Sequence, residues 1–282
     1  GVLSRIKTVL NKLFGYIGVN DMINLLALIV CFFASVIGAI CGIGGGVIIK
    51  PVLDSVGILD VTAISFLSGC TVLSMTTYSV LKNRCSGTSH ISARNMLPLA
   101  IGASIGGVAG RELFSYVKLV SGNNEKVGAV QAFCLLIITF GTLLYTLYKS
   151  KIKTYRIDKK SVCFSIGAFL GIISSFLGIG GGPINLVVLF FFFSMPTKIA
   201  AENSLYIIFF SQGANLISTI ISGNVPEFKP EVLILMIVGG IAGGICGRKI
   251  NEGIDEKIVD MLFIGLMIMI MLINVYNIYK YI

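Results

Sequence analysis

The 282-residue chain is 55% hydrophobic and only 12% charged, about half the charged fraction of a soluble domain, which excludes an ordinary water-soluble fold. Its mean hydropathy of +0.93 requires repeated long apolar stretches, because a bilayer-spanning helix needs ~20 mostly apolar residues. The net charge of +9 sits mostly in short Lys/Arg clusters between those stretches, as the positive-inside rule predicts. Membrane lipid is therefore an expected partner and nucleic acid is not.

The chain opens on Gly1 rather than Met, which suggests proteolytic trimming. Residues 1–20, with Arg5, Lys7 and Lys12 among apolar neighbours, read as a basic interfacial segment rather than a signal peptide. Apolar segments follow at Met22 to Cys41, Val47 to Ile58, Val61 to Leu81, Met96 to Val117 and Val127 to Tyr148. A strongly basic stretch from Lys149 to Lys160 then reads as a cytoplasmic connector. Five more segments complete the chain: Val162 to Leu177, Ile184 to Met195, Ile199 to Ile221, Val232 to Cys246 and Ile258 to Tyr279. The expected division is 1–20, a first transmembrane repeat at 21–149, the connector at 150–160 and a second transmembrane repeat at 161–282. Fold class is an all-α integral membrane protein of two homologous repeats, each of about five helical segments.

The repeat is visible residue by residue. Gly42-Ile43-Gly44-Gly45-Gly46 returns 136 residues later as Gly178-Ile179-Gly180-Gly181-Gly182. Gly106-Gly107-Val108-Ala109-Gly110-Arg111 returns 137 residues later as Gly243-Gly244-Ile245-Cys246-Gly247-Arg248, so one insertion reconciles the two shifts. The short segments after the glycine runs set the topology. If they cross, each half has an odd number of spans and the repeat is inverted; if they are re-entrant, it is parallel. The inverted arrangement gathers Lys82-Asn83-Arg84, the connector and Arg248-Lys249 on one side, and is the reading adopted.

Three closely spaced glycines cannot support a stable helix, so each run predicts a helix break at membrane depth. Broken backbone is tolerated there where it lines a cavity or is buried in protein, and the N–H groups opening a following short helix favour anions. Pro183 suits the first turn of that helix. The candidate substrate-binding residues are therefore Gly42, Gly44, Gly45, Gly46, Gly178, Gly180, Gly181, Gly182, Pro183 and nearby Asn185. Lys50 and Asp54, four residues apart, either pair with each other or leave Lys50 to attract an anion. Glu202 either carries a coupling proton or marks the membrane boundary. Asn185, Ser211, Gln212 and Asn215, with Ser65, Ser68, Thr71, Ser74, Thr76 and Thr77 in the first half, offer uncharged donors. Some of these are expected to join helices, and those nearest the breaks, Ser68 and Gln212 included, to touch substrate. Gly102, Gly106 and Gly110, and Gly239, Gly243 and Gly247, read as helix-packing faces. Arg111 and Arg248 read as cations at helix ends or interfaces.

The seven cysteines form no CxxC pair and His90 is the sole histidine, so no disulfide framework and no metal site is expected. The glycine runs fit neither the dinucleotide nor the phosphate-loop pattern. No cofactor is expected, and no nucleophile or acid–base constellation points to an enzyme.

The paired glycine-rich runs, each followed by a short apolar segment, and the repeated Gly-Gly-x-x-Gly-Arg endings resemble the TauE/SafE family of sulfite and organosulfonate exporters over nearly the whole chain. The resemblance implies a multi-pass secondary transporter of the cytoplasmic membrane that moves small sulfur-containing anions without ATP hydrolysis. The Thr-Ser-Leu-like element of that family is approximated by Asn203-Ser204-Leu205, which adds Asn203 and Ser204 to the candidates. The first-half positions read Phe66-Leu67-Ser68, implying an asymmetric site. A coupling proton or Na+, and self-association as a homodimer, are open expectations. Alternatives are another small organic anion as substrate, or an anion channel.

Overall fold

The computed structural model describes residues 19–57, 60–85, 93–121, 124–178 and 181–281. Among them regular structure is entirely helical: α1 Val19–Cys41, α2 Gly46–Val56, α3 Val61–Cys85, α4 Ala93–Ser121, α5 Asn124–Tyr148, a 3-10 turn at Lys149–Lys151, α6 Lys160–Phe176, α7 Pro183–Phe193, α8 Thr197–Ile221, α9 Pro230–Gly253 and α10 Glu256–Tyr281. Each expected apolar segment holds one helix. The helices extend past the apolar windows where polar residues supply end chemistry; α3, for example, places Lys82 and Arg84 in its last turn, where cations favour the carbonyl end. The interfacial segment expected at 1–20 lies outside the described residues, except for its last two, which begin α1.

Six helices, α1, α3, α5, α8, α9 and α10, are long and apolar enough to cross a membrane. α4 is longer still but carries Arg111 and Glu112 in its run, and α6 is shorter at 17 residues. α2 and α7 have 11 residues each, ~16 Å of helix against a hydrocarbon core of about 30 Å. They are half-helices.

Close backbone packing crosses between the two halves. α1 lies along α9 and α4 along α6, the two most extensive contacts in the molecule. Gly239, Gly243 and Gly247 face Leu28, Phe32 and Val36, while Gly102, Gly106 and Gly110 face Phe164, Ala168 and Ile172. A Cβ at any of these glycines would meet backbone of the neighbouring helix, so the predicted packing faces are borne out. The numbers rise together in both contacts, so both pairs are parallel.

Hydrogen bonds fix which ends meet. Lys149 after α5 reaches Thr197 at the start of α8 and Asp260 in the first turns of α10. Asn95 at the start of α4 donates to Asp158 in the connector. Asn251 in the last turn of α9 donates to Ile40 O at the end of α1. Ser194, just past α7, donates to Tyr155 O in the connector. All of these lie at the end that carries the basic connector, termed the basic end. α1, α3, α5, α7 and α9 run toward it and the even-numbered helices run away, so matching elements of the two halves run in opposite senses.

Candidate functional site

α1 ends at Cys41 because the chain must turn back. Gly42 has φ +73° and lies so close to α8 that a Cβ would strike Ala201; glycine alone supplies both the conformation and the clearance. Four residues on, Gly45 rests against Ala34 and Ser35 of α1, so α2 starts deep in the bundle and runs to the far end. In the second half Gly178, Gly181 and Gly182 have φ +67°, +126° and +69°, and α7 starts with Pro183 in its first turn. Its C-terminus reaches the basic end. Both predicted breaks are present, and both half-helices begin in the interior.

A cavity of about 650 Å³ opens at the end remote from the connector. Asp60, Leu119, Asn224 and Pro226 line its mouth, Arg111, Ser175 and Asn215 its wall, and Gly46, Lys50, Ser68, Gly178 and Gln212 its inner part. Those last five are sequence-predicted site residues gathered from both halves.

Lys50 is 9% exposed. Its ammonium donates to Leu177 O at 3.2 Å and to Gln131 Oε1 at 3.3 Å. The Gln131 amide in turn donates to Phe176 O at 2.7 Å. These are terminal carbonyls of α6, which an α-helix leaves without internal partners and which carry the negative end of its dipole. Lys50 therefore steadies the break of the opposite half, and an ammonium's third donor remains for a ligand. A Cβ on Gly178 would collide with Lys50 Nζ. Lys50 and Asp54 also share the wall of a small pocket of about 30 Å³, the space of a water molecule or two.

The remaining candidates sit deeper. Gly44 and Gly181 both pack on Ile208 of α8. Asn185, Asn203 and Ser204 are fully buried, and the Asn185 amide, Asn203 Oδ1 and Ser204 Oγ have no hydrogen-bond partner. Buried polar atoms of that kind are costly unless something satisfies them. Glu202 lies in the second turn of α8, half-buried and away from the cavity lining. Gly180 lies outside the described residues.

Three expectations need correction. Arg111 is no boundary cation: it lines the cavity, with Nη1 donating to Asn215 O at 2.9 Å. Its extension of the Gly-Gly-x-x-Gly face is the signal that it points inward. Gln131 and Ser175 were not singled out, although a lone Gln in an apolar span is itself a signal. The hydroxyls of Thr71, Ser74, Thr76 and Thr77 do not join helices; each bonds a carbonyl of its own preceding turn.

The basic end is tied rather than open. Lys149 Nζ lies 2.7 and 2.6 Å from the two Asp260 oxygens and 3.2 Å from Thr197 Oγ1, which donates to Asp260 at 2.9 Å. The same ammonium stands 5.0 Å from the centre of the Phe190 ring. Connector backbone adds Tyr155 N to Phe191 O at 2.7 Å and Ile157 N to Phe192 O at 3.1 Å. Among the described residues no group of three His, Cys, Asp or Glu could hold a metal.

Helices of membrane length around a polar, cation-bearing cavity, with backbone broken only where it is enclosed by protein, define a multi-pass membrane transporter. The sulfite exporter TauE/SafE family model matches residues 27–274, and the chain belongs to that family. A curated relative, the probable membrane transporter protein YunE of Bacillus subtilis strain 168, is 26% identical over 216 residues, 68% of this chain and 76% of that protein. No solved structure matches the chain.

Proposed function

We propose that this protein is a secondary transporter, a carrier rather than an enzyme or channel, that moves a small sulfur oxyanion such as sulfite or thiosulfate, or an organosulfonate, by alternating access. The observation that carries the reading is Lys50: a buried ammonium lining the cavity beside Gly46, where the first turn of α2 offers the positive end of its dipole. A volume of about 650 Å³ leaves room for an organic sulfonate as well as an inorganic ion.

The two halves, 21–149 and 161–282, are inverted copies on this reading, supported by their opposite helix directions and crossed packing. The basic end is cytoplasmic, by the positive-inside rule, and the membrane is the cytoplasmic one. The cavity then faces outward while the Lys149–Asp260 contact ties the inner side. Glu202 is the coupling candidate for a proton or Na+, and a homodimer is a further part of the proposal.

Counterflow in proteoliposomes tests it, with labelled sulfite or thiosulfate inside and unlabelled sulfonates, sulfate and carboxylates outside. Saturable exchange of a sulfur oxyanion is expected. Conductance without saturation points to a channel. Absence of exchange by folded protein removes the sulfur-anion assignment.

A further inference from the structure

We propose a second oxyanion seat in the cavity wall, built around Gly107 and Arg111, distinct from Lys50 and resting on the transporter reading only for its role in transport. Gly107 and Arg111 are one helical turn apart on α4 and so share a face. Where a Cβ on Gly107 would stand, three oxygens of two other helices converge: Ser211 Oγ at 3.0 Å, Ser175 Oγ at 3.2 Å and Asn215 Oδ1 at 3.3 Å. The missing side chain leaves a niche lined by polar atoms.

Two of those atoms are unsatisfied. Ser211 is 4% exposed, and neither its Oγ nor Asn215 Oδ1 has a hydrogen-bond partner. Leaving such groups unpaired is costly, so the niche is built for an occupant. Asn215 Nδ2 donates to Ser175 Oγ at 2.8 Å, and Asn215 O accepts from Arg111 Nη1. One half-turn of the Asn215 amide exchanges its oxygen and nitrogen. The amide then donates into the niche, and the Ser175 hydroxyl donates to the turned Oδ1. An occupant thus meets the Ser211 hydroxyl, the Asn215 amide and the guanidinium donors not used on Asn215 O. The neighbouring guanidinium disfavours a metal cation and favours an oxyanion, which it can meet with two parallel bonds.

The repeat supplies an internal control. The equivalent Gly244 faces the Met75 side chain, and Arg248 pairs at 2.8 Å with Glu252. That copy of the motif packs helices and builds no seat. Ser175 lies one turn before Gly178 on α6, so the seat stands ~5 Å along that helix from the residue touching Lys50. The order is consistent with an anion held first at the wall and then passed to Lys50.

The test is thermal stabilisation of the detergent-purified full chain by sulfite, sulfate and methanesulfonate, titrated at constant ionic strength with chloride as control. Wild type is expected to be stabilised. Gly107→Ala, which fills the niche, should raise the half-saturating concentration about tenfold. Arg111→Lys keeps the charge but loses the fork and should do likewise. Ser211→Ala guards against a folding defect in the glycine variant: it removes an unpartnered hydroxyl, so its basal melting temperature should be unchanged or higher while the anion response weakens. A wild-type response that persists undiminished in folded Gly107→Ala and Ser211→Ala overturns the seat, as does no response beyond chloride, which means water only. Counterflow by wild type with undiminished anion response in the variants removes the seat and leaves the transporter reading. A response lost in Ser211→Ala, without counterflow by wild type, does the reverse.

Discussion

The two ends of this bundle are made from matching elements yet differ in what they hold. At the end remote from the connector, the helices part around a polar cavity with Lys50 and Arg111 in its walls. At the basic end, matching helices are drawn together by Lys149, Thr197 and Asp260, with Asn251 fastened to Ile40 O. Because α1 against α9 corresponds to α6 against α4, the difference lies in side chains rather than in helix arrangement. A protein of this plan can reverse the difference between its ends without repacking either glycine face.

The largest effect is expected at the open end. Lys50→Met removes the buried cation while keeping the apolar stem, and should lower exchange in counterflow about a hundredfold, the range for deleting one partner of a buried charged contact. Near-normal exchange would show that the cavity works without that ammonium. At the tied end, Lys149→Met leaves Asp260 with only Thr197 among the partners described above. In a chain whose sole cysteine is Cys41, at the basic end of α1, maleimide labelling from the connector side should quicken about tenfold. Unchanged labelling would mean that the contact does not hold this end together.

Smaller effects sharpen the contrast. Gly178→Ala strains a φ of +67° and pushes on the Lys50 ammonium. It should slow exchange several-fold with little change in expression, at a cost of about 1–2 kcal/mol in the folded chain. Glu252→Gln breaks an exposed i,i+4 pair with Arg248 and should shift stability by no more than about 0.5 kcal/mol. A large loss of exchange in that variant would show that the second Gly-Gly-x-x-Gly-Arg copy also serves transport.

Much of the architecture was legible because the bilayer demands it. Apolar windows located all ten helices, Pro183 marked the start of α7, and the glycine runs marked the breaks, since no other residue supports the backbone at Gly42 or Gly178. The site was legible only in part. Lys50 meets Leu177 and Gln131, which lie 127 and 81 residues away, and no local pattern encodes such a meeting. Thr71 and Thr76 looked available for neighbours, but a hydroxyl in an apolar helix finds a carbonyl one turn back before any partner arrives. Arg111 was misjudged because sequence gives its distance from the helix end but not which face looks into open space. The contact of Lys149 with Asp260 was invisible for the same reason, as its partners lie 111 residues apart.

The glycine faces also bear on how the protein is made. The surface of α1 that accepts Gly239, Gly243 and Gly247, and the surface of α4 that accepts α6, stay unfilled in the membrane until the second half is synthesised. A ribosome paused after the connector would leave five inserted helices without their main packing partners, open to capture by quality-control proteases. Cutting the gene within the connector should therefore give two fragments that accumulate only when expressed together, each acting as the folding template of the other.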